Sequence, residues 1–290
     1  MKSDIPIIHR DYVFGHSDFP LGVNFNRFHP NYPEHRHEFS ELVIVKNGAG
    51  INIVNGVSYP LSAGDVFVIP KGRIHEYRET DHLGCYNIYF DNKQLDLKKW
   101  DAGLLAGYHA LFLIEPVYRK KGSFNSRLRL SQDQLIRVWA LIELLEQEVQ
   151  GGHPGFRLMA MARFMEVVCL LSRYYGETTG ENSRRVLRVA EAISHMEAHF
   201  TQQISIDNLA RMAHMSGRNF HRVFLEATGK TPSAYLIGLR IMKATHQLEF
   251  SDKNITEIAF ECGFTDSNYF ARQFRKLMNE SPAGFRRRIA

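Results

Sequence analysis

"NITEIAFECGFTDSNYFARQFRKLMNESPAGF", Asn254 to Phe285, decides how the last third of the chain folds, because it is the second copy of a pattern. The first copy is "ISIDNLARMAHMSGRNFHRVFLEATGKTPSAY", Ile204 to Tyr235. Phe220 matches Phe270, Arg222 matches Arg272, Phe224 matches Phe274, Pro232 matches Pro282 and Tyr235 matches Phe285. Each copy parses alike: a short helix (Ile206 to Ala213, or Ile255 to Cys262), a tight turn ("HMS" or "GFT"), then a capping residue, Ser216 or Asp266, that starts a second helix. That is a helix-turn-helix, present twice. Ala210 and Ala259, midway along the short helices, are small enough to let the paired helices approach closely.

The second helix of each copy has two faces. Phe220, Val223, Phe224 and Ala227, and then Phe270, Phe274 and Leu277, fall at inward spacing. Arg218, His221 and Arg222 lie outward in the first helix; Ser267, Asn268, Arg272 and Arg275 do so in the second. Solvated helix faces look like this too, but a face repeated with its aromatic anchors and outward arginine points to base reading. Arg suits guanine and Asn suits adenine because each makes two in-plane hydrogen bonds in the major groove. Between the copies "PSAYLIGLRIMKATHQLEF" predicts a helix of roughly 27 Å, able to hold two reading helices about one DNA turn apart. Arg240, Lys243, Lys276 and Arg286 to Arg288 are candidate phosphate contacts.

Charge agrees with this. From Arg184 onward there are 16 Lys+Arg against 10 Asp+Glu, while the residues before hold 20 against 21, so the net charge of +5 resides in the C-terminal third. A basic segment behind a neutral one suggests a polyanion for one domain only. The 290 residues suffice for two domains. Three scattered cysteines form no disulfide framework, and neither a signal peptide nor an uncharged apolar run long enough to span a bilayer is evident. A cytoplasmic protein without membrane association is expected.

The N-terminal part reads differently. From Leu21 to Asp91 short Val/Ile-rich runs alternate with Asn-Gly, Gly-Ala-Gly and Ala-Gly-Asp turns, predicting a small antiparallel barrel or sandwich. Within it "EHRHEFSELVIVKNG", Glu34 to Gly48, sets His35, His37, Phe39 and Glu41 on one strand face, and "GDVFVIPKGRIH" delivers His75 after a turn. Three imidazoles and a carboxylate suit Zn, Mn, Fe or Ni. They also suit hydrogen bonding to a small polar ligand, or a set of satisfied core histidines. Tyr77, Tyr89 and Phe39 are candidates for an aromatic face, and Arg27 and Asn87 line the pocket or cap strands.

After Leu130, "SQDQLIRVWALIELLEQEVQ" opens with a Ser131/Gln134 capping-box pairing. Leu135, Val138, Ile142, Leu145 and Val149 then make a seam suited to a packed helix or a partner helix. "FRLMAMARFMEVVCLLSRYY", apolar on nearly all sides, predicts a second, buried helix, and "GETTGENS" reads as a linker.

The C-terminal third resembles the DNA-binding domain of the AraC/XylS transcription regulators throughout, in "ISIDNLA", "MSGRNFHRVFLEATGKTPSAYL", "RIMKATHQLEFSDKNITEIAFECGFTDSNYFARQFRK" and "SPAGFRRR". By that similarity the base-reading positions fall on Arg218, His221, Arg222, Ser267, Asn268 and Arg272; Gly217 departs from the longer side chains common at its place. "HRHEFSELVIVKNG" and "GDVFVIPKGRIH" resemble the two cupin motifs, with Glu79 where an Asn often closes the second. In metal-binding cupins the equivalents of His35, His37, Glu41 and His75 hold a divalent ion. Over Asn31 to Asp91, including "CYNIYFD", the chain resembles, more than the family at large, its rhamnose-responsive members.

The resemblance implies an α+β protein of two domains: a cupin-like antiparallel β-barrel with following helices, then an all-α double helix-turn-helix. The expected divisions are a sensor domain over 1–130, a helical dimerisation segment over 131–176, a linker over 177–185 and the DNA-binding domain over 186–290. It implies a regulator, most often an activator, working as a homodimer with RNA polymerase on double-stranded DNA. A small polar effector, a monosaccharide, is expected at His35, His37, Glu41, His75 and Tyr77, with a divalent metal as candidate cofactor on the three histidines and Glu41. The alternative is a metal-dependent cupin enzyme, of sugar isomerase or dioxygenase type, fused to a DNA-binding domain; the attached reading helices weigh against it.

Overall fold

A computed structural model describes residues 5–14, 19–95, 97, 100–119 and 128–289. The chain divides into two compact units, Met1–Ala190 and Glu191–Ala290.

In the first unit the described strands are β1 (Ile7–Ile8), β2 (Leu21–Asn26), β3 (Tyr32–His37), β4 (Ser40–Val54), β5 (Val57–Ser62), β6 (Asp65–Ile69), β7 (His75–Phe90) and β8 (Leu128–Arg129). They form one eight-stranded sheet in the order β1-β3-β7-β4-β6-β8, with β2 added to β7 and β5 to β4. Every pairing is antiparallel except β1 with β3, the one departure from the expected antiparallel barrel. The two long strands make the curl. β4 pairs with β7 from Ser40 to Val54, and the register shifts between Val45 and Asn47, Asn47 and Ala49, and Ala49 and Ile51. Extra residues bend a strand and raise its twist, so a single β4–β7 ribbon serves two sides of the barrel. The β4–β5 hairpin closes on Asn55 (φ 49) and Gly56 (φ 80), the double left-handed step that an Asn-Gly pair supplies.

Short helices α1 (Arg10–Phe14), α2 (Asn92–Leu95), α3 (Ala106–Tyr108) and α4 (Glu115–Arg119) accompany the barrel, with a π-helical turn over His109–Ile114. Two long helices follow, α5 (Gln132–Gly151) and α6 (Phe156–Gly176), and the Ser131/Gln134 capping box is formed in both directions. Val138, Ile142 and Leu145 of the predicted seam are fully buried within the unit, where α5 packs on α6 and β2. The seam is thus used inside the chain, leaving Ile136, Leu144, Leu158 and Met159 as the exposed apolar residues of these helices. Residues 177–185, read as a linker, are helical from Glu181 onward, because α7 (Glu181–Ala198) begins there.

The second unit contains α8 (Ile206–Met212), α9 (Gly217–Thr228), α10 (Pro232–Phe250), α11 (Ile255–Glu261), α12 (Ser267–Met278) and α13 (Pro282–Ile289). Side-chain caps set the starts: Ser205, Ser216, Thr231, Asn254 and Asp266 each accept a hydrogen bond from a first-turn backbone N–H. Residues in the left-handed region, Gly229 (φ 71) and Asn279 (φ 61), end α9 and α12. Ala259, Phe270, Phe274 and Phe285 join Ile241, Ala244 and Leu248 of α10 in one core cluster. Leu277, expected to face inward, is 47% exposed. Periodicity fixes a side chain's direction but not whether a neighbour reaches it. Among the described residues no helix is long and apolar enough to cross a membrane.

Candidate functional sites: a histidine-lined cavity and two reading helices

The barrel encloses a cavity of about 210 Å³. His35, His37 and Glu41 line it, while His75 lies behind them, in contact with the cluster but not among the lining residues. His35 and His37 end β3, Glu41 begins β4 and His75 begins β7, and all four are buried. One ring nitrogen from each histidine lies within 4.8 Å of the others. Glu41 Oε2 lies 3.2 Å from His37 Nε2 and 3.8 Å from His75 Nε2. His35 Nδ1 is 2.9 Å from the Pro33 carbonyl and His75 Nδ1 is 3.2 Å from the Arg73 carbonyl. A carbonyl only accepts, so these contacts put the proton on Nδ1 and leave each Nε2 a lone pair. His75 Nε2 and His37 Nδ1 have no hydrogen-bond partner.

Burial sets the charges. It pushes His75 down to about 3 and lowers His35, so both rings are neutral at physiological pH. Burial works against ionisation of Glu41, but the His37 hydrogen bond and the neighbouring rings outweigh it, and the carboxyl is held below its ordinary value. The cavity therefore offers lone pairs and one anionic carboxylate.

Its walls are polar and aromatic. Tyr77, Tyr89, Phe39 and Asn87 line it, as do Asn24, Asn26, His29 and Tyr32. Phe39 stacks on His37 at 5.0 Å, and His29 lies 4.3 Å from the Tyr77 ring. Arg27 is not among the lining residues; its guanidinium sits 5.4 Å over the Phe28 ring. The β2 residues Asn24 and Asn26 and the loop residue His29 went unmarked in the sequence. The β2–β7 register, which sets Asn24 opposite Asn87, brings the two asparagines to the cavity, and the His29 backbone N–H donates to the Leu83 carbonyl at 2.7 Å.

In the second unit the outward faces of α9 and α12 are polar. Arg218, His221 and Arg222 are exposed and line an open hollow of about 750 Å³ together with Ser216, Asn219 and Leu225. Arg222 donates to Glu226 at 3.1 Å and to Asn219 at 2.8 Å, and this holds the guanidinium along the helix. On α12, Asn268 and Arg272 are exposed, Ser267 is half-buried, and the Arg272 guanidinium sits 5.8 Å from the Tyr269 ring. Arg240 is not a surface cation: it is 9% exposed and donates to the Phe200 and Gln202 carbonyls, both at 2.7 Å. Arg286 likewise donates to the carbonyls of Leu248 and Ser251 that end α10. Lys276 and Arg287 remain exposed.

Two family models match the chain, an AraC-like ligand-binding domain over residues 25–168 and a helix-turn-helix domain over residues 209–288. The chain is 33% identical over 273 residues to the HTH-type transcriptional activator RhaS of Enterobacter sp. strain 638, covering 94% of this chain and 93% of that one. The chain belongs to the AraC/XylS family of transcription regulators. The RhaS protein of Escherichia fergusonii is 35% identical over 255 residues, 88% of this chain and 87% of its own. An AraC-type transcriptional regulator from Chromobacterium violaceum, of solved structure, is 32% identical over 36% of this chain and 92% of its own, with a TM-score of 0.34. As an AraC/XylS regulator, the protein binds DNA through its double helix-turn-helix and carries a ligand-binding barrel. The enzyme alternative falls with that membership, since the similarity to transcriptional activators runs through barrel and tail alike.

Proposed function

We propose that this regulator activates transcription as a homodimer when a neutral monosaccharide occupies the barrel cavity. The Nε2 lone pairs that His35 and His75 keep, converging with the His37 ring beside the ionised Glu41, carry this reading. Such a set accepts hydrogen bonds and asks for a ligand rich in O–H donors, with Tyr77, Tyr89 and Phe39 supplying ring faces. At about 210 Å³ the cavity lies below the roughly 300–1,000 Å³ of pockets for drug-sized ligands and suits a single sugar ring. The resemblance to rhamnose-responsive members points the same way. Base reading falls to Arg218, His221 and Arg222 on α9 and to Ser267, Asn268 and Arg272 on α12. Exposed Ile136, Leu144, Leu158 and Met159 offer apolar area for a second copy, and activation implies contact with RNA polymerase.

The same lone pairs favour a second reading of how the effector is held. His35 and His75 have their Nδ1 atoms tied to backbone carbonyls, as metal-ligating histidines do. His35, His37 and His75 fit a divalent transition metal, with the Glu41 carboxylate 3.2 Å from His37 Nε2 and 3.8 Å from His75 Nε2, and the ion would act as a Lewis acid toward effector hydroxyls.

Thermal-shift and calorimetric titration of the full chain with neutral pentoses, hexoses and deoxyhexoses, with and without chelator, tests both readings. One sugar is expected to raise the midpoint, and Glu41→Gln to abolish its binding. A chelator-sensitive response with bound metal supports the second arrangement. No response to any sugar in either condition refutes the effector assignment.

A further inference from the structure

Helix α9 carries a residue that neither its core nor its polar face accounts for. At about 100° per residue, Phe220, Val223, Phe224 and Ala227 occupy one side of the helix. Leu225 lies about 150° from the middle of that side, within about 20° of Arg218 and between His221 and Arg222. It is 41% exposed and lines the same hollow as Arg218 and Arg222. So it is no core leucine turned slightly outward; it is an apolar group in the middle of a cationic and hydrogen-bonding face. At the matching place on α12 stands Arg275, also exposed, so the two copies differ there in chemistry.

We infer that Leu225 is a specificity-determining residue that packs on the C5 methyl of a thymine in the operator. This rests on α9 being inserted in the major groove. There the thymine methyl is the apolar feature of the base edges, and apolar side chains read it by contact. Leu225 is seven residues beyond Arg218, about 10 Å along the helix axis, so its thymine lies about three base pairs from the base that Arg218 reads. Arg275 at the equivalent position cannot make that contact, so the half-site under α9 has a methyl requirement that the half-site under α12 lacks.

The test uses the full chain. Sites are enriched from a random duplex pool, and each thymine of the winning site is replaced in turn by deoxyuridine, which removes only the methyl. Binding is read by fluorescence anisotropy for the wild type, Leu225→Ala, Leu225→Met and Arg275→Ala. The wild type is expected to lose about fourfold in affinity at one thymine, as for one buried methyl group. Leu225→Ala should bind the thymine and uracil versions equally, whereas Leu225→Met and Arg275→Ala should keep the difference. Because Leu225 is exposed, its replacement leaves the core intact, and Arg275→Ala doubles as a folded control. If every thymine-to-uracil effect persists in Leu225→Ala, the assignment is overturned while the base-reading role of α9 stands. If the wild type enriches no sequence, the reading of α9 falls and this inference with it.

Discussion

Arg240→Met separates a structural arginine from a DNA-contacting one. The substitution keeps most of the aliphatic stem and removes the guanidinium, which donates through Nε to the Phe200 carbonyl and through an Nη to the Gln202 carbonyl, both at 2.7 Å. Hydrogen bonds to a charged group contribute about 1.5–3 kcal/mol each, so the pair is worth about 3–6 kcal/mol. Residues 200 and 202 lie near the surface, and water reaching the freed carbonyls reduces the expected loss to about 2–4 kcal/mol. Losing the guanidinium at 5.8 Å from the Phe264 ring acts in the same direction. Urea unfolding of the full chain, followed through the transition of the second unit, should show that loss. The salt dependence of DNA binding should remain unchanged at temperatures where the variant is folded, because each lost phosphate contact lowers the slope by about one and here none is lost. A variant of wild-type stability with a reduced salt slope would refute this account and return Arg240 to the phosphate contacts.

Other outcomes follow from the same geometry. Arg222→Ala and Arg272→Ala should each relax base preference at one position and cost about 1–3 kcal/mol in specific binding, measured by competition against single-base variants of an enriched site. Phe270→Ala, which empties a fully buried aromatic site, should destabilise the second unit by about 3–5 kcal/mol in chemical denaturation. Gly107→Ala should prevent folding of the first unit, since a Cβ there would lie 1.8 Å from the Ser172 carbonyl oxygen; a soluble variant with native circular dichroism would disprove that close crossing of α3 and α6. Asp266 has its pKa lowered by the Tyr269 and Asn268 backbone N–H groups. Its capping contribution is therefore present above the unfolded value of 3.8 and lost as pH falls through the lower folded value. Asp266→Ala should lower the melting temperature near neutral pH, and its difference from the wild type should shrink on acidification below that window.

The double helix-turn-helix was legible in the chain because it is local. Ser216 and Asp266 cap their helices a few residues from the groups they serve, and Phe220, Phe224, Phe270 and Phe274 are placed inward by the 3.6-residue period alone. The histidines of the barrel were legible for a similar reason, since strand alternation puts His35 and His37 on one face. Which arginines meet solvent was not legible. Arg222 and Arg240 look alike in sequence, yet one lies on an open helix face and the other closes over two carbonyls nearly forty residues away.

The amino-acid order alone determined the family and the two-part architecture, because capping, periodicity and motif spacing act over a few residues. Tertiary structure decided the rest: that Val138, Ile142 and Leu145 are spent inside the first unit, and that Asn24 and His29 join the cavity. It also decided that Arg240 serves the backbone. Each of these depends on contacts between segments distant in the chain, where strand register and helix packing, rather than local propensity, choose the neighbours.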